Sequence, residues 1–182
     1  MKKYCIVVTG LPGSGKTTVA TEVARILEIP LIDKDDILEN LFEKLGTGGT
    51  EWRFQLSRGA DLDFITASQE LAHVVLVSHW RPQKLSVSFG TPVDWIPDSF
   101  ETIIELLCHC PLKVAALRFK SRLRHPGHND EAKTLSDVEA WLREYDQYLP
   151  IGIGERVVVN TADNEWRQKI KLELKRVLDD LT

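Results

Sequence analysis

The residues Gly10-Leu11-Pro12-Gly13-Ser14-Gly15-Lys16-Thr17-Thr18 carry the densest chemistry in the chain and fit the phosphate-loop pattern G-x-x-x-x-G-K-[ST]. The glycines admit backbone conformations that a side chain would forbid. The loop can then wrap a phosphate with its N–H groups pointing inward, at the positive end of the helix that follows. Lys16 adds a full positive charge for the outer phosphates, and the Thr17 hydroxyl can ligate Mg²⁺. Gly10, Pro12, Gly13, Ser14, Gly15, Lys16, Thr17 and Thr18 are therefore the residues expected to hold a nucleotide. A second cluster, Asp33-Lys34-Asp35-Asp36, is acidic. A carboxylate at Asp33 or Asp35 can accept the proton of an attacking hydroxyl or hold metal-bound water. Asp36 reads as a favourable charge at a helix N-terminus.

Elements with the right periodicity surround both clusters. Lys3 to Thr9 is a short apolar, β-branched run, as in a buried parallel strand, and Val19, Val23, Ile26 and Leu27 share a helical face. The apolar run Ile29-Pro30-Leu31-Ile32 predicts a second strand that delivers the aspartates to the cleft at the carboxyl ends of the strands. Ile37, Leu38, Leu41, Phe42 and Leu45 predict a helix stopped by Gly46, and residues 46–50 a hinge. Glu51 to Leu71 predicts one or two helices walling the substrate side, with Arg53 and Arg58 among their residues. Val74 to Val77 predicts a strand ending in Ser78-His79-Trp80-Arg81-Pro82, and Gln83 to Ser99 an irregular loop bordering the pocket.

Thr102 to Cys108 is the next expected strand, and Pro111 opens a helix with Val114, Leu117 and Leu123 inward. Arg118, Lys120, Arg122 and Arg124, followed by His125-Pro126-Gly127-His128, suggest a mobile lid over approximately 118–135 that closes cations over phosphates. Ser136-Asp137-Val138-Glu139 reads as a capping box for a helix that ends at Pro150. Val157 to Asn160 predicts the last strand and Asp163 to Leu181 a closing amphipathic helix. Strands alternating with helices predict an α/β domain with a parallel sheet covered on both faces.

Composition narrows the function. A chain of 182 residues suits one domain, and its net charge of −4 does not support nucleic-acid or anionic-membrane binding. No stretch reaches membrane-spanning length, and the apolar run after Met-Lys-Lys is too short for a secretion signal, so a cytoplasmic location is expected. Cys108 and Cys110, two apart at a strand end, fit buried free cysteines better than a zinc site. The chain has no serine-hydrolase elbow, dinucleotide fingerprint or Asn-Lys-x-Asp for guanine.

With these residues in view, the chain resembles the small P-loop kinases: adenylate kinase, chloramphenicol phosphotransferase, zeta toxins and the kinase half of polynucleotide kinase. The resemblance implies a three-layer α/β/α P-loop NTPase sandwich with a five-stranded parallel sheet and a helical lid. It also implies an ATP- and Mg²⁺-dependent transfer of phosphate to a hydroxyl of a small molecule. Carried over by position, Asp35 is the base, Lys16 and Arg122 act on the phosphates, and Arg118 stacks on adenine. Asn160-Thr161-Ala162-Asp163, and Thr161 in particular, borders the base, while Thr17 and Asp33 serve the metal. Leu38 stands where nucleotide-type kinases carry an acceptor-binding arginine, and Ser78 where relatives often carry an acid. A nucleoside or nucleotide kinase using Arg53, Arg58 or Arg81, and a nucleotide-dependent binding switch, are the alternative expectations. Neither the acceptor nor the oligomeric state is legible.

Overall fold

A computed structural model of the chain describes residues 2–81, 90–130 and 133–179. Its strands are β1 (Tyr4–Gly10), β2 (Leu31–Asp33), β3 (His73–Val77), β4 (Thr102–His109) and β5 (Glu155–Asn160). They form one sheet in the order β2-β3-β1-β4-β5, with every neighbouring pair parallel. The helices are α1 (Lys16–Leu27), α2 (Lys34–Leu45), α3 (Thr50–Gln69), α4 (Ile96–Ser99), α5 (Leu112–Ser121), α6 (Leu135–Asp146) and α7 (Trp166–Asp179).

Alternation along the strands builds two cores. Ile6, Val8, Val75 and Ile104 face α1 and α7, packing on Val19, Val23, Ile170 and Leu174. Cys5, Val7, Val74 and Leu76 face the other way, onto Phe64 of α3 and Ile96 of α4. The expected parallel sheet with helices on both faces is the fold observed. All strands share one direction, so the end of β1, the end of β2 and the end of β3 open on the same edge, where the phosphate loop and the aspartates sit.

Several elements differ from expectation. Of the one or two helices expected over 51–71 there is one, α3, unbroken for 20 residues. The expected loop over 83–99 holds a helical turn at its end, α4, anchored by buried Ile96 and Phe100, whereas residues 82–89 lie outside the described residues.

On α5 the buried residues are Ala115, Ala116 and Phe119, while Leu117 and Leu123 are exposed. The helix ends at Ser121, so Leu123 is beyond its face. The phosphate loop packs directly on the backbone of this helix: a Cβ on Gly13 would lie 2.1 Å from the Ala115 carbonyl oxygen. The capping box belongs to Thr134 and Asp137, two residues earlier than expected. Thr134 Oγ1 accepts from the Asp137 N–H at 3.2 Å, and the Asp137 carboxylate accepts from the Thr134 N–H at 2.9 Å. Of the segment expected as a lid, residues 118–121 belong to α5. A strap follows from Arg122 to Asp130, with a single 3₁₀ turn at Pro126–His128.

Candidate active site

The loop between β1 and α1 is wedged against the end of β4 and the flank of α5. Gly10, at φ 131°, and Gly13, at φ 81°, adopt backbone shapes that disfavour other residues, and a Cβ on Gly10 would lie 2.3 Å from the Cys108 carbonyl oxygen. Lys16 curls back over the loop, donating from Nζ to the carbonyls of Gly10 at 3.0 Å and Leu11 at 3.1 Å. Burial pushes its ammonium down to about 8, against the pull of Cys108 and Asp35. Ser14 Oγ is buried inside the turn with no hydrogen-bond partner. A lysine held only by carbonyls and an orphan hydroxyl suit a cradle that receives an anion.

Asp33 joins the two sequence clusters. It ends β2 and caps α2, with Oδ1 accepting from the Asp35 N–H at 3.0 Å and Oδ2 accepting from the Thr17 hydroxyl at 2.9 Å. Burial, then the neighbouring Asp35 carboxylate, pushes Asp33 up to about 6. The two residues expected to serve Mg²⁺ are thus already in contact. Among the described residues no group of three or more His, Cys, Asp or Glu side chains is placed to hold a metal ion. A hydroxyl with one carboxylate fits the sparse protein ligation of a Mg²⁺ that takes its other ligands from phosphates and water. Asp35, in the first turn of α2, forms an ion pair with Arg124 of the strap. Burial raises its pKa, but Arg124, His128, Arg122 and Lys16 together outweigh burial and hold the carboxyl below its ordinary range. Asp36 is exposed in the first turn of α2, as its helix-charge reading implies.

On the other side of the loop, Arg118 donates from Nη1 to Thr161 Oγ1 at 3.1 Å and from Nη2 to the Thr161 carbonyl at 3.2 Å. Thr161 Oγ1 in turn donates to the Ser14 carbonyl at 2.7 Å. The structure therefore brings together the two residues expected beside adenine and ties both to the phosphate loop. Arg122 lies over the Phe119 ring at 4.4 Å, and burial, then Arg124, pushes its guanidinium down to about 10.

Gly13, Lys16, Thr17, Asp33, Asp35, Arg118, Arg122 and Arg124 line one cleft of about 720 Å³. Its far wall holds a buried polar chain that the sequence did not signal. Lys34 Nζ contacts Asp61 Oδ1 at 2.5 Å and donates to Ser57 Oγ at 3.1 Å. Thr91 Oγ1 donates to the same Asp61 oxygen at 2.8 Å and lies 2.5 Å from Ser78 Oγ. Ser78, standing where an acid was expected, is thus linked to a carboxylate supplied by α3. Lys34 and Asp61 are 27 positions apart with no periodic relation, so no pattern could have paired them. Arg53 and Arg58 also line the cleft. Arg58 sits over the Phe54 ring at 5.0 Å, whereas Arg53 Nε is buried with no hydrogen-bond partner among the described residues. Arg81 instead donates to the Gly90 carbonyl at 3.1 Å. Cys5, Cys108 and Cys110 are buried and free. No helix among the described residues is long and apolar enough to cross a membrane.

A glycine loop between a central strand and a helix, in a parallel sheet of this order, defines a P-loop nucleotide-binding α/β protein. The chain belongs to the AAA domain family, whose profile matches residues 6–141. It is 37% identical over 79 residues to the cytidylate kinase of Pyrobaculum islandicum, a stretch covering 41% of this chain and 43% of that protein. The cytidylate kinase of Pyrobaculum calidifontis matches to the same extent, so the similarity spans less than half the length of these relatives. Among solved structures, a candidate kinase from Chloroflexus aurantiacus superimposes with a TM-score of 0.75 at 23% identity, covering 97% of this chain and 98% of that one. The shikimate kinase of Bacteroides thetaiotaomicron superimposes with a TM-score of 0.62 at 18% identity, covering 97% and 98%. At these identities the structural likeness is one of fold.

Proposed function

We propose that this protein is a kinase that transfers the γ-phosphoryl group of Mg–ATP to a hydroxyl of a small molecule. One observation carries the reading. A phosphate loop with its lysine, a Thr17–Asp33 pair and the Asp35 carboxylate converge on a single cleft. In this reading the loop amides and Lys16 hold the triphosphate, and Thr17 with Asp33 hold Mg²⁺. When bound, that ion neutralises charge on the outer phosphates. Arg118 and Thr161 flank adenine, and Arg122 supports charge at the transferring group. Asp35 accepts the proton of the acceptor hydroxyl. The names of the similar proteins, all kinases, support the class, and an ATP-using protein with free cysteines suits the cytoplasm.

The acceptor, in the same reading, carries an acidic group. Arg53 faces the cleft as a partly buried cation whose Nε has no hydrogen-bond partner among the described residues, a state that an incoming carboxylate or phosphate would relieve. A nucleoside monophosphate is one member of that class. ATP turnover should therefore be measured with hydroxyl acceptors that do and do not bear an acid group, in the wild type, Asp35→Asn and Arg53→Gln. Asp35→Asn is expected to lower kcat by about 10²-fold or more. Arg53→Gln should raise the acceptor KM about 10-fold or more while leaving the ATP KM unchanged. Equal rates in wild type and Asp35→Asn would remove Asp35 from the mechanism.

A further inference from the structure

The strap from Arg122 to Asp130 is docked along α2, on the helical face that begins with Asp35. Asp35, Glu39, Phe42 and Glu43 follow one another at intervals of three or four and one, so they share that face. His128 Nε2 lies 2.9 Å from Glu39 Oε1 and His125 Nε2 3.5 Å from Glu43 Oε1. The Phe42 ring stacks on His125 at 5.2 Å and meets His128 edge-on at 5.5 Å. Gly127 lies flat on the same ring, where a Cβ would come within 2.5 Å.

This dock presents the Arg124 fork to two carboxylates at once. Nη1 donates to Asp130 Oδ2 at 2.7 Å, and Nη2 pairs with Asp35. Asp130 is a shared anchor, since Lys133 Nζ lies 3.1 Å from its Oδ1 and Arg122 Nη2 3.7 Å from its Oδ2. Arg122, Arg124 and Lys133 thus crowd around Asp130 and Asp35, beside the Lys16 cradle. A triphosphate arriving in that cradle offers these guanidinia more negative charge than Asp35 does.

We propose that Arg124, fastened by Asp130, is a positioning residue that holds Asp35 in an ion pair until a triphosphate draws the Nη2 arm away and frees the carboxylate for the acceptor hydroxyl. The nucleotide then binds before the acceptor, and a cleft without nucleotide has its base masked. The proposal rests on the kinase reading for a triphosphate in the loop and for Asp35 as the base. Sequence alone could not suggest it, because Arg124 and Asp35 are 89 residues apart.

The test follows the Arg124 side chain directly. In ¹⁵N-arginine-labelled full-length protein, the Arg124 guanidinium Nη–Hη resonance, the group that carries both ion pairs, is assigned with Arg124→Lys or Arg124→Gln. Its proton exchange is then measured in wild type and Asp35→Asn, with and without Mg²⁺ and a non-hydrolysable ATP analogue. Without nucleotide, Asp35→Asn is expected to speed exchange about tenfold; with it, the two proteins should agree within about twofold. Asp130→Asn should speed exchange in both states, as loss of the anchor requires. A difference between wild type and Asp35→Asn that persists unchanged in the nucleotide complex would overturn the proposal, as would equal exchange in the two proteins without nucleotide. Failure of the analogue to bind at all, read by calorimetry on the same samples, would instead remove the kinase reading.

Discussion

Replacing Asp61 by asparagine is expected to destabilise the protein by about 3–5 kcal/mol at pH 7. The amide keeps the size of the carboxylate, and its oxygen can still accept from Lys34 and Thr91, so the change isolates the charge. Only 8% of the Lys34 side chain and 14% of that of Asp61 are exposed, so water does little to screen an unpaired ammonium there. Lys34 has one escape, which is to lose its proton. That costs about 1.4 kcal/mol for each pH unit below its unfolded pKa of about 10.4, which caps the penalty near ~5 kcal/mol at pH 7 and ~2 kcal/mol at pH 9.

The sign follows from the direction of the shift. Burial already lowers the Lys34 pKa in the folded protein while Asp61 opposes it, and losing Asp61 lowers it further. The unfolded chain then binds more protons between pH 7 and 9, so the variant gains stability as pH rises and the gap to wild type narrows. Urea unfolding at pH 7, 8 and 9 measures this, with an unchanged m-value as the control. The double variant Lys34→Met/Asp61→Leu should lose less than Asp61→Asn alone, because no buried charge remains. A penalty below about 1 kcal/mol at pH 7, or a gap that does not close with pH, would refute the argument that this pair is desolvated.

Other outcomes follow from the same geometry. Gly13→Ala should lower Tm by about 6–12 °C, through a positive φ and a contact with the Ala115 carbonyl, whereas Gly15→Ala, which shares the positive φ but whose Cβ would meet Thr161 at an ordinary 3.6 Å, should lower it about half as much or less. Thermal melts of the two variants decide this. Lys16→Met should weaken Mg–nucleotide binding about 100-fold by calorimetry while leaving Tm equal or higher, since it removes a charge that burial disfavours. Burial, then Lys16, pushes His79 down to about 3, so the unfolded chain takes up its proton first as pH falls below about 6.5. The stability of His79→Gln relative to wild type should therefore improve steadily from pH 6.5 to pH 4, as urea midpoints at each pH will report.

Local rules were enough to read the loop and the layers from the chain. Gly10, Gly13, Gly15, Lys16 and Thr17 act through backbone shape and residue type at fixed spacing, and the alternating apolar strands determine two covered faces wherever the turns lie. Asp33 was legible for the same reason, because a residue at the tip of a parallel strand beside the loop has few places to go. Periodicity served less well on α5. Ala115, Ala116 and Phe119 cluster with Val138 and Leu142 of α6 while Leu117 is exposed, and the spacing of apolar residues does not say where that neighbouring helix lies.

The side-chain pairs that line the rest of the cleft were decided by tertiary structure alone. Lys34 meets Asp61, Thr91 meets Ser78, and Arg124 meets Asp35 across 13 to 89 positions of chain. Each pair exists only because separate elements converge on one edge of the sheet. Ion pairs have no period, and a lone lysine or arginine in a sequence reads as solvated surface until packing removes the water around it.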